Sequence, residues 1–404
     1  MTSARLFVAL AVPAIVVLAS TAGRPVRAGA GHGQFGTPLA GLRMDERKLF
    51  RDGLDRFNET EAVSDGLGPI FNAASCAACH SAPAVGGSSS VNETRAARIE
   101  NGVYTELPGG SLFQTSAISP DCAETIPAAA NVIAQRQTTP LFGSGLIEAI
   151  PDGEIMGYAA AQARTHPEQA GRVNFVVDPP AGASRVGRFG WKAQHATLLA
   201  FAADAYVNEM GITNRLFPAE NAPNGDLAKL TRCDTVRDPE DKDDDITAFA
   251  NFMRFLAPPP RDLEWDRGHD QKDGRGAGLA PSRIEHGEQV FEKVGCAVCH
   301  HAGFRAESRV EAIDGQRVDA FSDFLLHDVG TGDGIVQGSA RGNEFRTPPL
   351  WGLSESAPYL HDGSAGTIQD AIQRHANQGA AAQKAFRGLS FEDEQALLAF
   401  LESI

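Results

Sequence analysis

Two short stretches of this chain carry the residue types that hold a redox centre. One is Cys76-Ala77-Ala78-Cys79-His80 and the other is Cys296-Ala297-Val298-Cys299-His300. Two thiols separated by two residues and followed at once by a histidine form the pattern of c-type haem attachment. The spacing has a chemical reason. The thiols add to the two vinyl groups along one porphyrin edge, and the adjacent imidazole then lies beneath the iron as its proximal ligand. A lone CxxC is also compatible with a redox dithiol or half of a zinc site. Here both pairs carry the histidine, and a shared zinc site would have to bring together pairs from opposite halves of the chain. The expectation is two covalently bound haem c groups, with His80 and His300 as proximal ligands. The remaining cysteines, Cys122 and Cys233, are isolated in sequence, and in an oxidising compartment they could pair as a disulfide.

The elements that must position these motifs repeat along the chain. A helical apolar pattern precedes each CxxCH: Leu49, Phe50, Leu54 and Phe57 before the first, and Val290, Phe291 and Val294 before the second. A Thr-Pro segment follows each, Thr139-Pro140 and Thr347-Pro348. Each half then closes with an apolar helix. In the first, Ile246, Phe249, Phe252, Met253 and Leu256 recur at helical spacing, and Pro258-Pro259-Pro260 stops the run. In the second, Ser390 caps a helix that carries Leu397, Leu398, Leu401 and Ile404. Helix, CxxCH, long loops and helix is the layout of a small cytochrome c domain. The reading is therefore a mainly α chain of two cytochrome c-like haem domains with long loops. The first domain spans 35–256, a linker rich in Pro, Gly and charge spans 257–285, and the second domain spans 286–404. Insertions around 81–135 and 150–188 are Gly-, Ser- and Ala-rich and read as loops or short strands.

Composition bounds the setting. The chain has 404 residues, 42% of them hydrophobic and 22% charged, which is a globular balance. Its formal net charge of −15 speaks against a non-specific nucleic-acid binder, because phosphates need a basic face. Arg5, the apolar run Leu6 to Ala19, and Val26-Arg27-Ala28 resemble an export signal over residues 1–28. An uncleaved membrane anchor is the alternative. Either way the chain is expected to be exported. An acidic mature chain suits a small basic electron carrier as partner, and it serves solubility equally well.

Several further segments together resemble the di-haem oxidoreductase family, also labelled thiol oxidoreductase. They are Asp65-Gly66-Leu67-Gly68-Pro69, Phe189-Gly190-Trp191-Lys192-Ala193, Glu209-Met210-Gly211, Ser322-Asp323 through His327-Asp328, Arg346-Thr347-Pro348 and Tyr359-Leu360-His361-Asp362-Gly363. That family is related to bacterial di-haem cytochrome c peroxidases and to the di-haem enzyme of methylamine utilisation. The resemblance implies two covalent haems, a mostly helical fold and a periplasmic site. It makes His375 the leading distal ligand of the second haem, where related peroxidases carry a Met. The chain itself offers no Met after Met253. His361 and His327 take hydrogen-bonding roles near the haems by the same resemblance, or serve as polar loop residues. Glu209 corresponds to a carboxylate held over the open face of the first haem. The family's Gln upstream of it is not evident, since the stretch reads Leu198-Leu199-Ala200-Phe201. Trp191 corresponds to a residue between the haems that helps electrons cross. Aligning the halves on Thr197 and Thr367 sets it opposite His361.

Other candidates rest on the residues. The planar fork of Arg346 suits a haem propionate, and Lys192 is its counterpart in the first half. His166 and His195 follow the first motif without standing where relatives need a ligand, so the first haem is expected to be open or weakly ligated. Met210 reads as packing or as an alternative ligand. Relatives bind calcium between the domains, but the spacing of Asp328 and Asp333 is too loose to claim a site. The combined reading is a periplasmic di-haem oxidoreductase of peroxidase type. It would reduce hydrogen peroxide with electrons from a small cytochrome or cupredoxin donor, and homodimerisation is left open. The alternative is a di-haem electron-transfer cytochrome without chemistry of its own.

Overall fold

The computed structural model describes residues 34–261 and 283–404. The export segment and most of the linker lie outside the described residues. In chain order the described helices are α1 (Met44–Asn58), α2 (Cys76–Cys79), α3 (Ser144–Glu148), α4 (Asp152–Thr165), α5 (Leu198–Glu209), α6 (Leu227–Cys233), α7 (Asp245–Phe255), α8 (Arg283–Lys293), α9 (Ile368–Gln373), α10 (Ala380–Arg387) and α11 (Phe391–Ser403). None is long and apolar enough to cross a membrane.

In each half the first helix packs on the last, α1 on α7 and α8 on α11. The inward face of α1 runs through Phe50, Gly53 and Phe57. Leu49, expected on that face, is 42% exposed, because a one-residue step turns it about 100° away from Phe50. Glycine lets each pair of helices close up. A Cβ on Gly53 would lie 2.3 Å from the Ala248 carbonyl, and one on Gly287 would lie 2.0 Å from that of Ala396. Phenylalanines fill the two crossings, with Phe57 and Phe252 centred 4.7 Å apart and Phe291 and Phe400 5.3 Å apart. Ser390 caps α11 by accepting from the Asp393 amide. The halves also share a core, since Phe304, Ile313, Val318 and Phe324 of the second pack with the buried side chains of the first.

Helix outweighs strand, but the insertions are more regular than loops. The first holds an antiparallel sheet of β2 (Asn92–Glu100), β3 (Val103–Thr105), β4 (Leu112–Phe113) and β6 (Val132–Gln137), with β2 paired to the other three. Next to it, β1 (Ile70–Phe71) pairs with β5 (Ser116–Ala117). The second insertion contains the fourteen-residue α4 and a hairpin of β7 (Phe175–Asp178) and β8 (Ala183–Val186). Tyr158-Ala159-Ala160-Ala161 explains α4, because alanine is the best helix former and Asp152 and Glu154 suit the first turn. This helix braces the second CxxCH. Tyr158 Oη donates to the Val298 carbonyl at 2.9 Å, and Gln162 Nε2 donates to the same carbonyl at 2.6 Å and to Asp323 at 3.0 Å.

Cys122 and Cys233 form a disulfide that ties the turn Pro120–Cys122 to α6. It closes a loop across 111 positions, so it restricts the unfolded chain strongly. The double variant Cys122→Ala/Cys233→Ala is expected to lose about 2–4 kcal/mol of stability. Denaturant unfolding of the haem-loaded protein checks this, and an unchanged midpoint would refute it.

Candidate functional site

Each CxxCH forms one tight turn at the wall of a large cavity. In the first, Ser75 accepts from the Ala78 amide and starts α2, and the His80 amide donates to the Cys76 carbonyl at 3.0 Å. In the second, Cys296–Val298 is a single 3-10 turn, and the His300 amide donates to Cys296 at 2.9 Å. Both imidazoles are fixed in the same way. Nδ1 of His80 lies 3.0 Å from the Gly87 carbonyl, and Nδ1 of His300 lies 3.0 Å from that of Phe321. Nδ1–H donates there, so Nε2 keeps its lone pair, which is how a ligating histidine is set. Burial pushes both pKa values down to about 4, so both rings are neutral. An aromatic ring of the first helix of each half flanks each one, Phe57 at 5.9 Å from His80 and Phe291 at 6.5 Å from His300.

The thiols are poor candidates for dithiol chemistry. Burial pushes Cys76 and Cys296 up to about 12 and Cys79 up to about 11, whereas a reactive thiol has a lowered pKa. Both cavities are lined mainly by apolar side chains, with volumes of about 170 Å³ in the first and about 300 Å³ in the second. Paired thiols, a pinned imidazole and an apolar cavity beside them fit a haem at each motif.

Thr139, Leu141, Trp191 and Phe201 line both cavities. Trp191 Nε1 donates to the Gln137 carbonyl at 2.8 Å, and its ring lies edge-on to His361 at 6.3 Å. The two residues occupy matching turns. Phe189 bridges to His195 in one and Tyr359 to Ala365 in the other. Each turn leads to a threonine-capped helix, Thr197 before α5 and Thr367 before α9. His361 also stacks on Phe345 at 4.2 Å, at the wall of the second cavity.

Glu209 is the last residue of α5 and lines the first cavity. Backbone contacts hold it there. The Asn72 and Ala73 amides donate to its carbonyl at 2.7 and 3.3 Å, and the Gly68 amide donates to the Met210 carbonyl at 3.0 Å. Gly211 allows this approach, with φ +68° and a would-be Cβ 2.6 Å from the Gly68 carbonyl. Burial lifts the Glu209 carboxyl to about 7. Glu93 adds to the rise, Asn72 and Arg95 oppose it, and Asp204 adds to it again. The spacing of residues gave no sign of Asn72, whose side-chain amide donates to Glu209 Oε2 at 2.7 Å.

Among the described residues, His80 is the one histidine lining the first cavity. His195 instead meets Asp204 at 3.1 Å, and His166 is exposed beside Thr165. Met210 and Met253 line this cavity and pack in the core. The second cavity receives His300, His327, His361 and His375. His375 lies two residues beyond α9. Its Nδ1 sits 2.8 Å from the Ala371 carbonyl, which leaves Nε2 free as in the proximal histidines. His327 is buried against Asp323 at 2.9 Å, which raises its pKa despite burial.

Arg346 lines the second cavity and forms no ion pair among the described residues. It donates to the carbonyls of Gly190 at 2.9 Å and Thr347 at 3.0 Å, and burial pulls its pKa down to about 10. A haem carboxylate would neutralise it. Lys192 does not match it. It is fully buried, donates to the carbonyls of Arg341 and Glu344 at 2.9 and 2.7 Å, and pairs with Asp333 at 3.3 Å. Asp333 also pairs with buried Arg136 at 2.7 Å, and Asp328 binds Asn343 and Asn377. These two acids are thus engaged apart from each other, which speaks against a calcium site between them. His301, next to the second motif, is half-buried and packed between Tyr158 and Phe304.

A cytochrome c551 peroxidase of Nitrosomonas europaea is 27% identical over 129 residues, which are 31% of this chain and 35% of that protein. The match thus spans about a third of the relative's length. Among solved structures, hydrazine synthase of Kuenenia stuttgartiensis aligns with a TM-score of 0.41 at 16% identity, over 98% of this chain and 100% of the other. The di-haem peroxidase BthA of Burkholderia thailandensis aligns at 0.41 and 15%, over 88% and 85%. The di-haem oxidoreductase family model matches residues 128–404, from the strand before the first Thr-Pro segment to the last residue, and the chain belongs to that family.

Proposed function

We propose that this chain is an exported di-haem c-type peroxidase that reduces hydrogen peroxide to water with electrons from a small donor protein. Haem is the cofactor that the family implies. When bound, it supplies the iron that binds peroxide and the path by which two electrons arrive. Cys76 and Cys79 would hold the first group as thioethers, and Cys296 and Cys299 the second. His80 and His300 would each ligate an iron, and His375 would supply a further ligand at the second site. Arg346 would bind a propionate there.

The observation that carries this reading is the difference between the cavities. The second presents several histidines, and the first presents one, with a carboxylate on its wall. Glu209 can take the proton from the near oxygen of peroxide and return it to the far one, so that the O–O bond breaks with water as leaving group. Two electrons and two further protons complete the two waters. Trp191 lies in the wall shared by the two cavities, where an electron relay is needed. The disulfide and the acidic chain support a periplasmic setting and a basic donor of cytochrome or cupredoxin type.

The test is optical and paramagnetic-resonance spectroscopy of the haem-loaded protein, as isolated and half-reduced, followed by peroxide turnover. One high-spin haem that binds cyanide is expected. Two low-spin haems in every state, indifferent to cyanide and peroxide, would instead establish an electron-transfer cytochrome.

A further inference from the structure

We infer that Asn72 is the positioning residue for Glu209, holding Oε2 so that the exchangeable proton is carried on Oε1. This rests on the reading of Glu209 as the proton carrier. The amide of Asn72 has a fixed orientation. Its Oδ1 accepts from the Thr115 amide at 3.0 Å and from the Thr115 hydroxyl at 3.4 Å. The register of β1 with β5 sets this up, since Phe71 pairs with Ser116 and the next positions are Asn72 and Thr115. With Oδ1 pinned, Nδ2 must point the other way, and it donates to Glu209 Oε2 at 2.7 Å. Oε1 accepts no hydrogen bond from any described residue. A proton on Oε2 would clash with the Asn72 donor, so the neutral acid carries it on Oε1.

A purely structural role does not account for this bond. The backbone already docks the two segments, through the amides of Gly68, Asn72 and Ala73. The side-chain bond adds control over the carboxyl. Three other charged groups act on it, with Glu93 and Asp204 favouring the neutral form and Arg95 the ionised one, while the Cys79 thiol lies nearby. A donor on Oε2 stabilises the carboxylate, so its loss moves the titration upward.

The experiment uses the haem-loaded full chain and infrared difference spectroscopy of the protonated carboxyl band across a pH series. Glu209→Gln identifies the band by removing it. In Asn72→Ala the band is expected to move to higher frequency, as its carbonyl loses a donor, and to titrate at higher pH. Asn72→Asp keeps the shape, replaces the donor with a second acid, and should raise the midpoint further. The acid limb of peroxide turnover should move with the infrared midpoint in both variants. An Asn72→Ala band with unchanged frequency and midpoint overturns the inference. Native haem spectra in Asn72→Asp exclude misfolding as the cause of any shift. The two readings fail separately. If Glu209→Gln leaves turnover intact, the peroxidase reading fails, while the infrared result still decides what Asn72 does to the carboxyl.

Discussion

Glu209→Gln lowers the rate of peroxide reduction by about 10²–10⁴-fold, the range that general acid–base catalysis supplies. The substitution keeps the size of the side chain and an oxygen that accepts from Asn72, so the fold and the cavity persist. It removes the ability to take up and release a proton. The pH dependence follows from the sign of the shift. Glu209 must be ionised to accept the first proton, and burial raises its pKa to about 7. Turnover therefore falls as pH drops through about 7 in the wild type, and this limb is absent in the variant. An ordinary exposed Glu would place the limb near 4.3 instead, at roughly the model-peptide value. Steady-state peroxide assays between mildly acidic and mildly alkaline pH decide the matter. A variant with wild-type turnover would remove Glu209 from the chemistry.

The sequence announces some of this site and hides the rest, for physical reasons. The CxxCH motifs are local, because one turn of chain brings the thiols and imidazole together. The terminal helices are legible from their apolar spacing, and the placement of Trp191 beside His361 follows from matching turns before Thr197 and Thr367. Asn72 is not legible. Its partners, Thr115 and Glu209, lie far along the chain, and a short polar side chain near a turn has many ordinary uses. Arg136 and Lys192 mislead in another way. Arg136 sits in the polar stretch Gln135-Arg136-Gln137, and Lys192 is expected at a propionate, yet each is fully buried because Asp333 from the other half neutralises it. A charge pairing across halves leaves no local pattern. The helix α4 is not legible because its Ala- and Gly-containing stretch shows no strong amphipathic face. Only its ends, with Pro151 before it and acids in the first turn, signal it.

His375→Met is expected to raise the reduction potential of the second haem by roughly 0.1–0.3 V, since a methionine partner for histidine raises haem potentials. The structure gives the reason that His375 is the residue to change. Its Nδ1 is tied to the Ala371 carbonyl at 2.8 Å, which fixes the ring with Nε2 free. The bond to Ala371 also makes the imidazole a stronger donor, which favours the oxidised iron. A one-electron couple changes tenfold in equilibrium for about 59 mV. A rise of about 0.2 V thus weakens the second haem as an electron source by roughly 10³. Turnover should fall with it, although peroxide binding at the first cavity is untouched. His375→Ala separates ligation from packing. It should convert the second haem to a form that binds added imidazole and regains the low-spin spectrum. A redox titration with spectral assignment of each haem provides the measurement. An unchanged potential in His375→Met, together with an unchanged low-spin spectrum in His375→Ala, would place the ligand elsewhere. His361 would then be next to test, because its ring also faces the second cavity.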